Sequence, residues 1–245
     1  MESLEEFKRK ILSQINRYQN GHVILLPFID ENNSLILEEL LKSNKVNYYK
    51  FGGFKNSDRN RYLLSQYDYL DDDFKINVYK IIYNKKFNEI NHRNVLGSLM
   101  SLGIKRESIG DIVIKENKDI YIALTDEISK YVLNEFNYIG KASVELEKTN
   151  EIIENVINYE SKEYILSSLR VDCVISSIYN ISRSESQDKI REGLILVNHQ
   201  VNFNHSLILK EEDIISLRGK GKYKIGLISG LTRKDRIKII IEKRI

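Results

Sequence analysis

Cysteine and proline are almost absent from this chain: 245 residues hold one of each, Cys173 and Pro27. A single cysteine cannot close an internal disulfide, which fits a reducing cytoplasm. No stretch approaches the roughly 20 consecutive apolar residues of a membrane span. The start is charged and amphipathic, unlike a secretory signal. Also missing are the patterns that would announce an enzyme. No glycine-rich cofactor loop follows a strand, as a methyltransferase would need. The nucleotide-binding signatures of a synthetase are missing. Residues 1–150 are too short and wrongly patterned for a pseudouridine synthase domain. The one histidine considered for catalysis, His92, has no base, nucleophile or metal ligand at signature spacing. The Asp71–Asp73 run reads as a boundary loop rather than a metal site.

What is present is ordinary in amount and uneven in placement. The apolar and charged fractions, 42% and 30%, are those of a soluble globular protein. The net charge is only +3, but residues 217–245 carry ten basic side chains against Asp235 and Glu242. That segment therefore holds +8, and the rest of the chain −5. Such asymmetry points to a polyanionic partner at the C-terminal end.

The pattern predicts an α+β chain in three parts: a small α/β domain over 1–72, a second domain over 73–150, and a third over 166–245. Residues 151–165 form a linker, with or without helix. In the first part, Leu4, Phe7, Ile11, Ile15 and Tyr18 have helical spacing. Asn33 or Ser34 is expected to cap a second helix. Phe51-Gly52-Gly53-Phe54 reads as a glycine turn, or as a phosphate cradle. The order β-α-β-β-α-β follows from residue 74, the split, ferredoxin-like arrangement used by RNA-recognition modules and by unrelated proteins. Its central strands lack the aromatic RNA-stacking motif. Gly97 is expected to let a helix approach the sheet, and Gly103 to end that helix. Thr125 is placed to cap the second helix of this part.

The last third opens on Arg170-Val171-Asp172, with Val174, Ile175 and Ile178 at core spacing and Cys173 among them. Ser182 caps a second helix, Gly193 ends it, and a strand runs to a turn at Asn198-His199. Arg183, near a helix N-terminus, combines a guanidinium with backbone donors, a good phosphate site. Gln187 shares its face, and Lys189 lies further round. Lys220, Lys222 and Lys224 alternate, so a strand would set them on one face. Arg170 either contacts RNA or bridges to Asp172. In the central part, His92 either caps the helix or contacts RNA with Arg93, and Lys105-Arg106 is either a further phosphate contact or a solvated loop.

These residues resemble the RNA-binding domain named for ribosomal protein S-four. The resemblance runs through Arg170-Val171-Asp172, Ser182-Arg183-Ser184, Ile190 to Asn198, and Asp213 to Gly219; His199 stands where glycine is commoner. Phe51–Phe54, Arg59 and Arg61, His92 to Gly97, Gly103 to Ile112, and Ser216 to Tyr223 extend it over nearly the whole chain. The chain is similar to the bacterial YlmH family. That resemblance implies a non-catalytic protein without cofactor or metal. It implies a cytoplasmic monomer, off the membrane, that binds rRNA and tRNA on large ribosomal subunits obstructed by peptidyl-tRNA. It would act there with other quality-control factors during alanine tailing. Arg170, Ser182, Arg183, Ser184, Gln187, Lys189, Asn198, His199, Arg218, Lys220, Lys222 and Lys224 are the expected RNA contacts. His92, Arg93, Lys105 and Arg106 form a second candidate set. The alternatives are an accessory of an RNA-modifying enzyme, or a cell-division scaffold, the family being linked to division by gene neighbourhood.

Overall fold

A computed structural model describes residues 4–156, 158–198, 200–217, 220–232 and 235–244. The chain is α+β, with six α-helices and sheets of three, five and six strands among those residues. It divides into two compact units, Met1–Asn155 and Val156–Ile245.

The first unit begins with α1 (Leu4–Gln19), which buries Phe7, Ile11, Ile15 and Tyr18 along one stripe. Strand β1 (Ile24–Leu25), helix α2 (Glu31–Ser43), β2 (Tyr48–Phe51) and β3 (Arg61–Leu64) follow, in sheet order β1-β3-β2. The cap of α2 is Asp30, three or four residues before the expected Asn33 or Ser34. Its backbone is extended, and its carboxylate accepts the Asn33 amide at 3.0 Å, so the helix starts earlier. The aspartate run expected as a boundary loop forms a 3-10 turn, Asp71–Phe74, that buries Phe74.

The unit continues through β4 (Ile76–Tyr83), α3 (His92–Ser101), β5 (Ile109–Ile114), β6 (Ile120–Thr125), α4 (Asp126–Glu135), β7 (Tyr138–Ile139) and β8 (Ala142–Lys148). The sheet order is β5-β6-β4-β8-β7, antiparallel throughout. Val95 and Leu99 of α3, Val132 of α4 and the adjoining Phe136 share a core with Tyr79, Ile81, Ile120, Ile122 and Leu124 of the sheet. Gly103, at φ +79°, follows α3 as expected. Gly97 does not bring helix to sheet: it is exposed, and a Cβ there would meet nothing within 4 Å. The close approach is at Gly110, where a Cβ would lie 2.8 Å from the Phe28 ring.

Residues on both sides of position 72 share one structure. Phe28, Phe54 and Ile153 pack with Val113, Tyr121 and Ala123 of the five-stranded sheet. Arg61 donates to the carbonyls of Leu26, Phe74 and Lys75, and Arg59 to those of Phe28, Arg106 and Ile109. A buried guanidinium carries five donors that need acceptors; backbone carbonyls supply three for each of these arginines, and Asp30 and Glu127 stand 3.9 Å from Arg59 and 3.6 Å from Arg61.

The second unit holds β9 (Tyr159–Leu166), α5 (Val171–Tyr179), α6 (Arg183–Arg191), β10 (Ile195–Val197), β11 (Gln200–Val201), β12 (Ile214–Leu217), β13 (Gly221–Leu231) and β14 (Ile237–Arg244). The sheet order is β11-β10-β12-β13-β14-β9. Strand β9 occupies residues 159–165 of the expected linker, the half nearer the last domain's helices. It pairs with β14 in unbroken register, from Ile237 opposite Leu166 to Arg244 opposite Tyr159. An outer strand with only Leu166 fully buried shows no clean alternation, and Glu160, Lys162 and Glu163 make it read as solvated chain. The core joins Val171, Val174 and Ile175 of α5 and Ile190 of α6 to Ile195, Ile215, Ile225, Ile239 and Ile241 of the sheet. Gly193, at φ +68°, follows α6 as expected.

Candidate nucleic-acid interface

Asp172, in the first turn of α5, organises the site. Its side chain is fully buried among donors. Arg170 gives it two bonds, Nε to Oδ1 at 3.1 Å and Nη2 to Oδ2 at 3.0 Å. Arg183, first residue of α6, adds Nε to Oδ2 at 3.1 Å and Nη2 to Oδ1 at 3.4 Å. Gln187, one turn further, donates Nε2 at 2.8 Å, and the Cys173 amide donates at 2.9 Å. Burial works against the charged carboxylate, but the bonds from Arg170, Gln187 and Arg183 outweigh it and hold its pKa well below the usual carboxylate range. The same contact raises the pKa of Arg183.

The balance of charge is what matters chemically. Two guanidiniums share one carboxylate, so the cluster retains a positive charge. The Arg183 side chain is half exposed and that of Arg170 about a third. Each planar fork thus has one edge fixed on Asp172 and other N–H groups directed elsewhere. At the start of α6 the Ser182 hydroxyl accepts the Glu185 amide at 3.0 Å, and Ser184 is exposed on the first turn. The Arg170 bridge to Asp172 is thus present, and Arg183 and Gln187 lie on one face as expected. Lys189 is instead drawn to Glu185, at 3.3 Å.

His205 is a member of the site that the sequence pattern does not reveal. Its Nδ1 lies 3.0 Å from Arg170 Nη2 and 4.0 Å from Asp172 Oδ2. It sits in a turn 33 residues past Asp172, with no spacing signal to link them. The convergence of Arg183 and Gln187 on Asp172 is equally hidden, although Asp172 and Arg183 both lie in the recognised pattern.

The remaining expected residues separate. Asn198, at φ +48°, opens the β10–β11 turn; its Nδ2 donates to Asp213 at 2.8 Å, and its Oδ1 accepts the Ile214 amide at 2.9 Å. It is engaged in the fold. His199 and Arg218 lie outside the described residues. Lys222 and Lys224 share one face of β13, with Tyr223 and Ile225 turned to the core. Lys220 does not join them: it precedes β13, in the turn. Lys224 pairs with Glu212 at 2.8 Å.

The second candidate set does not hold together. His92 and Arg93 occupy the exposed first turn of α3, whose cap is Asn91, in a reciprocal capping box with Asn94, rather than His92. Lys105 is exposed beyond the other end of that helix, 4.0 Å from Glu107. Arg106 faces inward, its Nη1 donating to the carbonyls of Ile109 at 2.6 Å and Gly110 at 3.2 Å. Burial and then the neighbouring Arg59 charge push its pKa down to about 10. Its Nη1 is committed to backbone carbonyls, which ties this arginine to the fold. The glycine pair is likewise a packed turn and no phosphate cradle, because a Cβ at Gly52 would lie 2.3 Å from Ser57 Cβ. Cys173 is buried as expected. Among the described residues no group of three His, Cys, Asp or Glu could hold a metal ion, and no helix is long and apolar enough to cross a membrane.

Residues 70–152 match the family model described as "Putative RNA-binding domain in YlmH". Over 225 residues the chain is 32% identical to the ribosome-associated protein quality control protein P2 of Bacillus subtilis (strain 168), covering 90% of this chain and 87% of that protein. It is also similar to the solved structure of cell division protein ylmH from Streptococcus pneumoniae. The TM-score there is 0.52 and the identity 27%, over 60% of this chain and 92% of that one.

Proposed function

This chain belongs to the YlmH family, and from that premise we propose that it is a non-catalytic RNA-binding factor of ribosome-associated quality control. It acts in the cytoplasm as a monomer. It binds rRNA and tRNA on large subunits that carry a stalled peptidyl-tRNA, while alanine tails are added to the nascent chain. The name of the Bacillus relative supports the process, and the matched family model supports RNA as the ligand. The strand order β5-β6-β4-β8 supports a ferredoxin-like domain over residues 73–150. The α5–α6 pair and the sheet after it support an S-four-type domain, with β9 as an added strand.

One observation carries the reading: the Arg170 and Arg183 guanidiniums fixed on buried Asp172 beside the capped start of α6. Forks held in place lose little freedom on meeting phosphate, and structured RNA is read largely through shape and phosphate. Lys222 on β13 and Lys220 in the turn before it add positive charge, while Lys224 is paired with Glu212.

The test is binding to purified large subunits, with and without peptidyl-tRNA, across a salt series. Selective binding to the tRNA-bearing subunit is expected. Arg183→Ala with Lys222→Ala should flatten the log-log salt slope by about 1.4–1.8, two phosphate contacts' worth. An unchanged slope removes these residues from the interface. The name of the Streptococcus protein favours a second reading, a division-associated scaffold; absence of any ribosome binding would move the weight there.

A further inference from the structure

The first 70 residues cover one end of the five-stranded sheet. Arg61 bonds there to Phe74 and Lys75, Arg59 to Arg106 and Ile109, and the Phe28 amide to the Glu107 carbonyl. Phe28, Phe54 and Ile153 lie over Val113, Tyr121 and Ala123, on the face away from α3 and α4. That face is therefore closed to base stacking where its one central tyrosine stands, Tyr121 being 2% exposed.

The other end of the sheet is open. Register fixes what meets there, since Ile120 pairs with both Ile81 and Ile114, and Tyr83 with Val144. The end of β4, the β5–β6 turn, the β7–β8 turn and the start of α3 share this end. They bring Lys85, Lys86, Arg93, Lys115, Lys118 and Lys141 against Glu89, Glu116 and Asp119, a local charge of +3. Of the six basic residues only Lys85 forms an ion pair among the described residues, at 2.6 Å to Asp119. That pair, with Lys85 Nζ on the Asn117 carbonyl at 3.2 Å and Tyr83 Oη on the Lys118 carbonyl at 2.8 Å, ties the β4–α3 loop to the β5–β6 turn. Asn84 and Asn88 brace the loop from within. On this tied loop stands Phe87, 76% exposed, the most exposed aromatic among the described residues. Lys86 Nζ lies 5.5 Å from its ring centroid.

The geometry points to this end of the domain as a binding site for single-stranded RNA, with Phe87 as the stacking platform and the surrounding lysines on phosphates. A solvent-exposed ring needs an unstacked base as its partner, so a loop or free end is the ligand and a duplex is not. The surplus of positive charge selects a polyanion. The inference rests on the RNA-binding reading above, and adds a second contact point and the form of RNA it takes.

The chain has no tryptophan, so Phe87→Trp supplies a lone reporter that keeps the stacking surface. The full-length protein would be titrated with a fluorescein-labelled short single-stranded oligoribonucleotide and with a labelled blunt-ended RNA duplex of two strands. Phe87→Ala is expected to weaken binding to the single strand by about fivefold or more, and Phe87→Trp to restore it with quenching of the new fluorescence. Lys86→Ala with Lys118→Ala should reduce the salt slope on the single strand by about 1.4. Phe87 is exposed, so thermal unfolding of Phe87→Ala should match the parent. Unchanged single-strand affinity in Phe87→Ala, with Arg183→Ala/Lys222→Ala still impaired on the duplex, overturns this site and leaves the general RNA-binding reading standing. Failure of the parent to bind either RNA overturns both. Normal binding of Phe87→Ala to RNA with loss of binding to intact subunits assigns the loop to a protein contact, and also overturns the proposal.

Discussion

Replacing Asp172 by alanine tests whether the buried carboxylate builds the site. Removing one partner from a buried ion pair costs roughly 3–5 kcal/mol, mainly because the other charge is stranded. Here the stranded groups are Arg170 and Arg183, and both reach solvent. That relief lowers the expectation to about 2–3 kcal/mol, the loss of several charge-assisted bonds partly replaced by water. For a unit of this size that is a fall in melting temperature of about 10–20 °C. The neighbouring thiol gives a local assay, because Cys173 is the only cysteine and is buried. Its labelling rate on a thermal ramp reports opening of the second unit alone. The variant should also lose the acid-side slope of stability. The folded-state pKa of Asp172 is depressed, so its contribution is complete above about pH 4 and fades as pH falls through the lower folded value. A Cys173 labelling transition within about 2 °C of the parent, equivalent to under about 0.5 kcal/mol, would refute the claim that Asp172 holds the two guanidiniums in place.

Asp111 should behave in the opposite sense. Burial, and then the nearby Asp58 charge, raise its pKa to about 6, above its ordinary 3.8. The folded state holds the proton more tightly, so stability should fall as pH rises from about 4 to 6. Asp111→Asn, which can still accept the Asp58 amide at that position, should remove that slope in a pH series of urea melts; a slope that persists assigns it elsewhere. Strand β9 predicts where the second unit can be cut. A fragment of residues 156–245 should give a sharp unfolding transition, whereas one of residues 167–245 uncovers the β14 edge and should aggregate in light scattering. Equal behaviour of the two would make β9 dispensable.

The sequence discloses the parts of this fold that obey a period. Helix α1, the alternation of β4 and the α5–α6 core all follow from apolar spacing, because burial on one face forces it. The glycines at positive φ after α3 and α6 are equally legible, since a left-handed residue there has few alternatives. Strand β9 is hidden because an outer strand buries little and its charges protect it from further pairing. Asp30 does not stand out as the α2 cap because Asn33 and Ser34 have the same propensity. Only the extended backbone at Asp30 decides between them.

Arginine is where sequence reading meets its physical limit. Arg59, Arg61, Arg106, Arg170 and Arg183 all stand near aromatic residues, glycines or helix ends, and each could be read as a phosphate ligand. The fold sorts them by what accepts their donors. Arg59, Arg61 and Arg106 spend guanidinium N–H groups on backbone carbonyls, and burial lowers the pKa of each. Arg59 and Arg61 also stand near carboxylates, Asp30 at 3.9 Å and Glu127 at 3.6 Å, but the carbonyl bonds tie these groups to the strand ends, and moving them to RNA would leave buried acceptors bare. Arg170 and Arg183 spend theirs on a single carboxylate that cannot balance both, and part of each fork stays in water. Substitution should divide the five along that line. Loss of an inward arginine should appear first as lost stability of the first unit. Loss of Arg183 should appear first in the salt dependence of RNA binding, because Arg170, Gln187 and the Cys173 amide remain to hold Asp172.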